Sequence, residues 1–61
     1  MTKVVFDSIM KIRESGKVNM FEIVSVQNLA YRMRLFELVE WLNNHKREYI
    51  EFILTGKHEH I

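Results

Sequence analysis

Apolar residues recur along the first segment at helical spacing. Within residues 2–15, Val5, Ile9 and Ile12 stand four and three apart, which stacks them on one helix face. Lys3, Asp7 and Lys11 succeed one another at intervals of four on another side, with alternating charge. This pattern predicts an amphipathic helix. Gly16 comes directly after it and fits the left-handed position past the last turn, where a β-carbon costs energy. Asn19 with Glu22 three residues later has the form of a capping box, and Val18 and Ile23 flank it as a hydrophobic staple. A second helix is expected from about Met20, with Ile23, Val26, Ala30 and Met33 as its core stripe and Leu29 beside them.

No glycine or proline separates this helix from the next apolar stripe, so phase decides whether the chain continues as one rod. At roughly 100° per residue, the stripe of Leu35, Leu38, Val39, Leu42, Tyr49 and Ile53 is rotated by well over a quarter turn from the one before it. A straight helix would face two ways, whereas a break near Arg34 lets both stripes face one core. The prediction is therefore all-α: a small three-helix domain over residues 1–56 with a long C-terminal helix, residues 35–54. Gly56 ends that helix, and residues 57–61 are expected to form a flexible tail. A continuous rod with the first helix packed on it is the alternative, and two chains would then share the core.

Composition narrows the classes. A chain of 61 residues has room for one core, and 48% hydrophobic against 28% charged residues is the balance of a folded protein. A core of this size rarely supplies more than about 3–5 kcal/mol, and small domains commonly add disulfides, a metal or a second subunit. There is no cysteine, which removes the first device and any cysteine-ligated zinc, so self-association into a helical homodimer is the expected one. Asp7, Lys11, Arg13 and Glu14 interrupt the first segment too often for a secretory signal, and no apolar run approaches a membrane span, so the expected location is the cytoplasm. A net charge of +1 offers no global field toward nucleic acid.

Candidate chemistry is sparse. His58 and His60 around Glu59 could hold a transition metal loosely, but a zinc site wants three or four fixed ligands, and His45 is the remaining histidine. Ser8, Ser15 and Ser25 lack the surroundings of an activated nucleophile, and the Glu37/Glu40 and Glu48/Glu51 pairs read as solvated helix faces. No catalytic residue, metal site or cofactor is expected. Leu29, Ala30, Met33 and Leu35 fit the first half of a helix-turn-helix, yet Glu40 and Asn43 fall where its second helix should be apolar, and Glu37 near the expected DNA face. Nucleic-acid binding through Arg32, Arg34, Lys46 and Arg47 is thus the alternative to a protein-interaction role. For the latter, Trp41 and Phe52 stand three turns apart on one side of the third helix with His45 and Glu48 between them, and Phe6, Met10, Met20 and Phe21 lie outside the main stripes. Phe21, Trp41 and Phe52 are the predicted contacts with a second copy or another protein, since these residue types are enriched at interfaces.

Residues 9–56 resemble a family of short, uncharacterised phage and prophage proteins of Gram-positive bacteria that carry a domain of unknown function. The residues that carry the resemblance are Ile12, Arg13, Ser15 and Gly16, then Asn19, Met20 and Phe21, then Val26, Ala30, Glu37, Leu38 and Val39, and finally Tyr49, Phe52, Ile53, Thr55 and Gly56. In that family an aspartate commonly comes after the Asn-Met-Phe tripeptide and a glycine commonly occupies the second turn, where this chain has Glu22 and Arg34. Glu22 keeps the capping chemistry, while Arg34 lacks glycine's freedom to turn left-handed. The resemblance implies a small phage accessory protein acting in the host cytosol, and it carries over no activity and no catalytic residue; binding to a host protein is an expectation for small phage proteins as a class.

Overall fold

The computed structural model describes residues 1–56, and in it the chain is all-helical, with α1 at Lys3–Ser15, α2 at Ile23–Arg32, α3 at Phe36–Asn44 and α4 at Lys46–Thr55. The first helix forms as its pattern dictates. Thr2 is extended, and its Oγ1 accepts the Val5 N–H at 3.2 Å, satisfying one of the orphan donors of the first turn. Lys3 pairs with Asp7 one turn on at 3.3 Å. Val5, Ile9 and Ile12 are all buried, and Ser8 joins them by donating its hydroxyl to the Val4 carbonyl at 2.8 Å. Gly16 ends the helix at φ 65°, its N–H reaching the Arg13 carbonyl at 3.2 Å.

The second helix starts later than Met20, and the capping box does not form. Asn19 spends its carboxamide locally: Oδ1 accepts the Phe21 N–H at 2.9 Å, and the Asn19 carbonyl accepts the Glu22 N–H at 3.0 Å. This is an Asx turn, the competing use that short polar side chains offer the backbone. Glu22 becomes the cap residue with no side-chain cap bond, and the helix begins at Ile23. Val18, Met20 and Ile23 are half-buried against the core, so the connection remains pinned by its apolar side chains.

The break near Arg34 is present and has a definite form. Arg34 adopts φ 61°, its N–H reaches the Tyr31 carbonyl at 3.0 Å, and the Leu35 N–H reaches the Ala30 carbonyl at 2.8 Å. Those two bonds, from the residue in the left-handed conformation and the one after it, are a Schellman motif, which ordinarily carries glycine at that position. Leu35 thereby turns inward onto the core next to the buried Ala30, supplying the apolar contact that accompanies the motif. Met33, expected on the core stripe, sits at the helix cap and is exposed.

The long third helix divides at His45, which gives four helices in place of three. His45 has φ −138° and ψ 41°, outside the helical range. Two physical reasons account for the division. Asn43, Asn44 and His45 are all poor helix formers, and the last two turn their side chains back onto the backbone of α3. Asn44 Nδ2 donates to the Glu40 carbonyl at 3.2 Å, and His45 Nδ1 lies 3.0 Å from the Trp41 carbonyl. Length is the second reason: an unbroken helix over residues 35–54 would run about 30 Å at ~1.5 Å per residue. The helices it would pack on, α1 of 13 residues and α2 of 10, run only about 20 and 15 Å, so the far end of such a rod would have nothing to bury against.

The core is drawn from all four helices. Ile9 and Ile12, Val26 and Ala30, Leu38 and Leu42, and Tyr49 have no exposed surface, with α3 packed chiefly on α2 and α1. Tyr49 carries a polar atom into this apolar centre, and its hydroxyl donates to the Met20 carbonyl at 2.6 Å. That bond ties α4 to the α1–α2 connection across 29 residues of sequence.

Candidate interaction surface

The three aromatic side chains singled out in the sequence differ in exposure. Phe21 is half exposed in the α1–α2 connection. Trp41 is half-buried on α3, its indole stacked on the His45 ring with centroids 5.0 Å apart and planes 8° from parallel. Phe52 is a core residue, 5% exposed, with its ring edge-on to Phe6 at 5.8 Å. The strip expected from Trp41 to Phe52 presupposed one continuous helix, and the break at His45 removes that premise. Phe52 therefore leaves the set of surface contacts.

A different apolar surface is built where α2 turns into α3. Because Arg34 takes the left-handed conformation, Leu35 points to the core and the next residue, Phe36, opens α3 at 53% exposure. Tyr31, on the side of α2 away from Val26 and Ala30, is 64% exposed and meets Phe36 edge-on at 5.5 Å. Val4, on the outer side of α1, is exposed as well. Val4, Ser8, Arg34, Leu35, Phe36 and Glu37 line an open depression of about 280 Å³. An aromatic ring thus stands beside a shallow, largely apolar hollow on a single face.

Tyr31 and Phe36 have a signal in the sequence. Each is apolar at a position that its helix wheel assigns to the polar side, Tyr31 about 140° from Val26 and Phe36 about 160° from Leu38 at 100° per residue. A third helix taken as unbroken masks that signal, because it sets the larger rings of Trp41 and Phe52 on one side.

The basic residues separate into two places. Arg32 and Arg34 stand at the turn before α3, whereas Lys46 and Arg47 open α4 after it, and all four are exposed. The helix between them, in the position of a recognition helix, carries Glu37 and Glu40 and no Lys or Arg. At the Lys46 end, Gln27 Nε2 donates to Asn43 Oδ1 at 2.8 Å, linking α2 to α3.

Other chemistry is local. Ser8 and Ser15 donate to the Val4 and Ile12 carbonyls, and Ser25 to Glu22 Oε2 at 3.4 Å. Glu48 lies 3.5 Å from the Met1 amino group. Among the described residues no three His, Asp or Glu side chains gather around a point that could hold a metal; His58 and His60 lie outside those residues. Nor is any described helix long and apolar enough to cross a membrane. The Tyr49 hydroxyl has its pKa pushed up to about 12 by desolvation in the core, which makes it a structural donor rather than an acid.

No curated protein and no solved structure matches the chain. The chain does match, over residues 1–57 and hence through all four helices, the family described as Domain of unknown function (DUF5049), and it belongs to that family.

Proposed function

We propose that the protein is a noncatalytic protein-interaction module that docks through the face formed by Val4, Tyr31 and Phe36. The observation that carries this reading is the exposure of two mutually packed aromatic rings beside an apolar depression. Tyr and Phe are residue types enriched at protein interfaces, and a ring standing next to a hollow is the arrangement in which such anchors are buried by a partner. Phe21 and Trp41, half exposed and half buried, are secondary contacts on this reading.

The setting we propose is that of a small accessory protein of a phage or prophage genome, acting in the host cytoplasm on another copy of itself or on a host protein. Its support is the sequence resemblance over residues 9–56. Comparative affinity capture tests the interaction role, using the wild-type chain and Tyr31→Ser/Phe36→Ser as baits. Partners retained by the wild type and lost by a variant with an unchanged circular dichroism spectrum are expected; identical capture by both baits would refute the assignment of this face.

A further inference from the structure

We infer that the occupant of this face is a second copy of the chain, related by a two-fold axis beside Phe36, with Arg34 of each copy set against the partner's Glu37. The inference rests on the interaction reading above and names its partner. Three observations lead to it.

The first is charge. Arg34 and Glu37 lie three residues apart on the lip of the depression, both are exposed, and neither forms an ion pair among the described residues. A two-fold contact brings a patch against itself, so that residue i meets j and j meets i. A face bearing one unpaired cation and one unpaired anion is therefore its own electrostatic complement, and the contact forms the same pair twice. A partner of uniform charge would be attracted by one of these groups and repelled by the other.

Shape is the second. Phe36 rises beside the hollow that it helps to line, and Val4 and Leu35 form the apolar part of that hollow. Across a two-fold axis the ring of each copy faces the hollow of the other. The third is size. Tyr31 and Phe36 alone leave on the order of 200 Å² of ring surface in water, at the exposures observed for side chains that bury 150–250 Å² when covered. With Val4 on the same depression, this is the core of a small interface at the weak end of specific complexes.

Charge reversal tests both the occupant and the geometry, read by sedimentation equilibrium at low ionic strength over micromolar to millimolar concentrations, with circular dichroism as the check on folding. The wild type is expected to show a reversible monomer–dimer equilibrium. Arg34→Glu alone, or Glu37→Arg alone, juxtaposes like charges twice per interface and should weaken dimerisation roughly a hundredfold or more. An equimolar mixture of the two single variants should associate again as a heterodimer, because one copy then presents two acids and the other two bases. Arg34→Glu/Glu37→Arg should dimerise by itself, which keeps the test decisive if either single variant fails to fold. A wild type that remains monomeric at millimolar concentration overturns the inference, as does a mixture and a double variant that both stay monomeric, or single variants as dimeric as the wild type. A monomeric wild type that still captures another protein through Tyr31 and Phe36 would sink the dimer and leave the interaction role standing.

Discussion

Replacing Arg34 by glycine should stabilise the protein. The residue is held at φ 61° by the Schellman bonds to Tyr31 and Ala30, and a left-handed conformation costs a residue with a β-carbon roughly 1–2 kcal/mol. Glycine escapes that cost but loses more chain entropy on folding, by roughly 0.5–1 kcal/mol. Arg34 is exposed and makes no ion pair among the described residues, so little else is lost with the side chain. The net gain is about 0.5–1 kcal/mol, which for a domain near 60 residues raises the melting temperature by about 4–8 °C. Thermal unfolding by circular dichroism measures it, at a concentration low enough to keep the chain monomeric. Two companions isolate the cause. Arg34→Ala retains the β-carbon and should stay within about 0.5 kcal/mol of wild type. Gly16→Ala meets no atom within 4 Å at φ 65°, so its loss of about 1 kcal/mol is backbone strain alone. An unchanged or lowered melting temperature for Arg34→Gly would refute the left-handed turn on which the exposed face depends.

Tyr49→Phe leaves the Met20 carbonyl without its donor inside the core and should cost about 1–3 kcal/mol in urea unfolding. The same residue sets an alkaline limit: its pKa rises from 10.0 unfolded to about 12 folded, so its contribution is complete below pH 10 and is lost as pH climbs through 12. A wild-type stability curve that falls across that window, beside a Tyr49→Phe curve with a shallower fall, is the expected result. Tyr31→Ser/Phe36→Ser should cost only about 1 kcal/mol, the value of one exposed aromatic pair, and leave the helical spectrum intact.

Much of the fold is legible in the pattern of side chains. Val5, Ile9 and Ile12 are buried, Gly16 and Gly56 adopt the left-handed conformation that ends α1 and α4, and the phase change between stripes marks the turn at Arg34. These features stem from periodicity and backbone sterics, which act locally. The start of α2 is not legible, because Asn19 can cap a helix or close an Asx turn with the same oxygen, and spacing does not distinguish the two. The division at His45 escapes the pattern for a different reason. Leu38, Leu42, Tyr49 and Phe52 keep helical phase across it, so periodicity reads straight through, and the shortness of α1 and α2, together with three poor helix formers in a row, decides against a rod. The candidate surface inherits that difference, since Trp41 and Phe52 share a side only if the helix is unbroken. Tyr31 and Phe36 become neighbours through the turn itself, a relation that neither helix wheel contains.

The exposed face at the α2–α3 turn is tested most directly by covalent capture inside the cell. A photo-reactive amino acid is placed at position 36 in one version of the chain and at Lys11, on the exposed side of α1, in another. Irradiation should produce a discrete protein adduct from position 36, running at twice the chain's mass if the second copy is the occupant, and none from position 11. Equal labelling from both positions, or no adduct from position 36, would contradict the account.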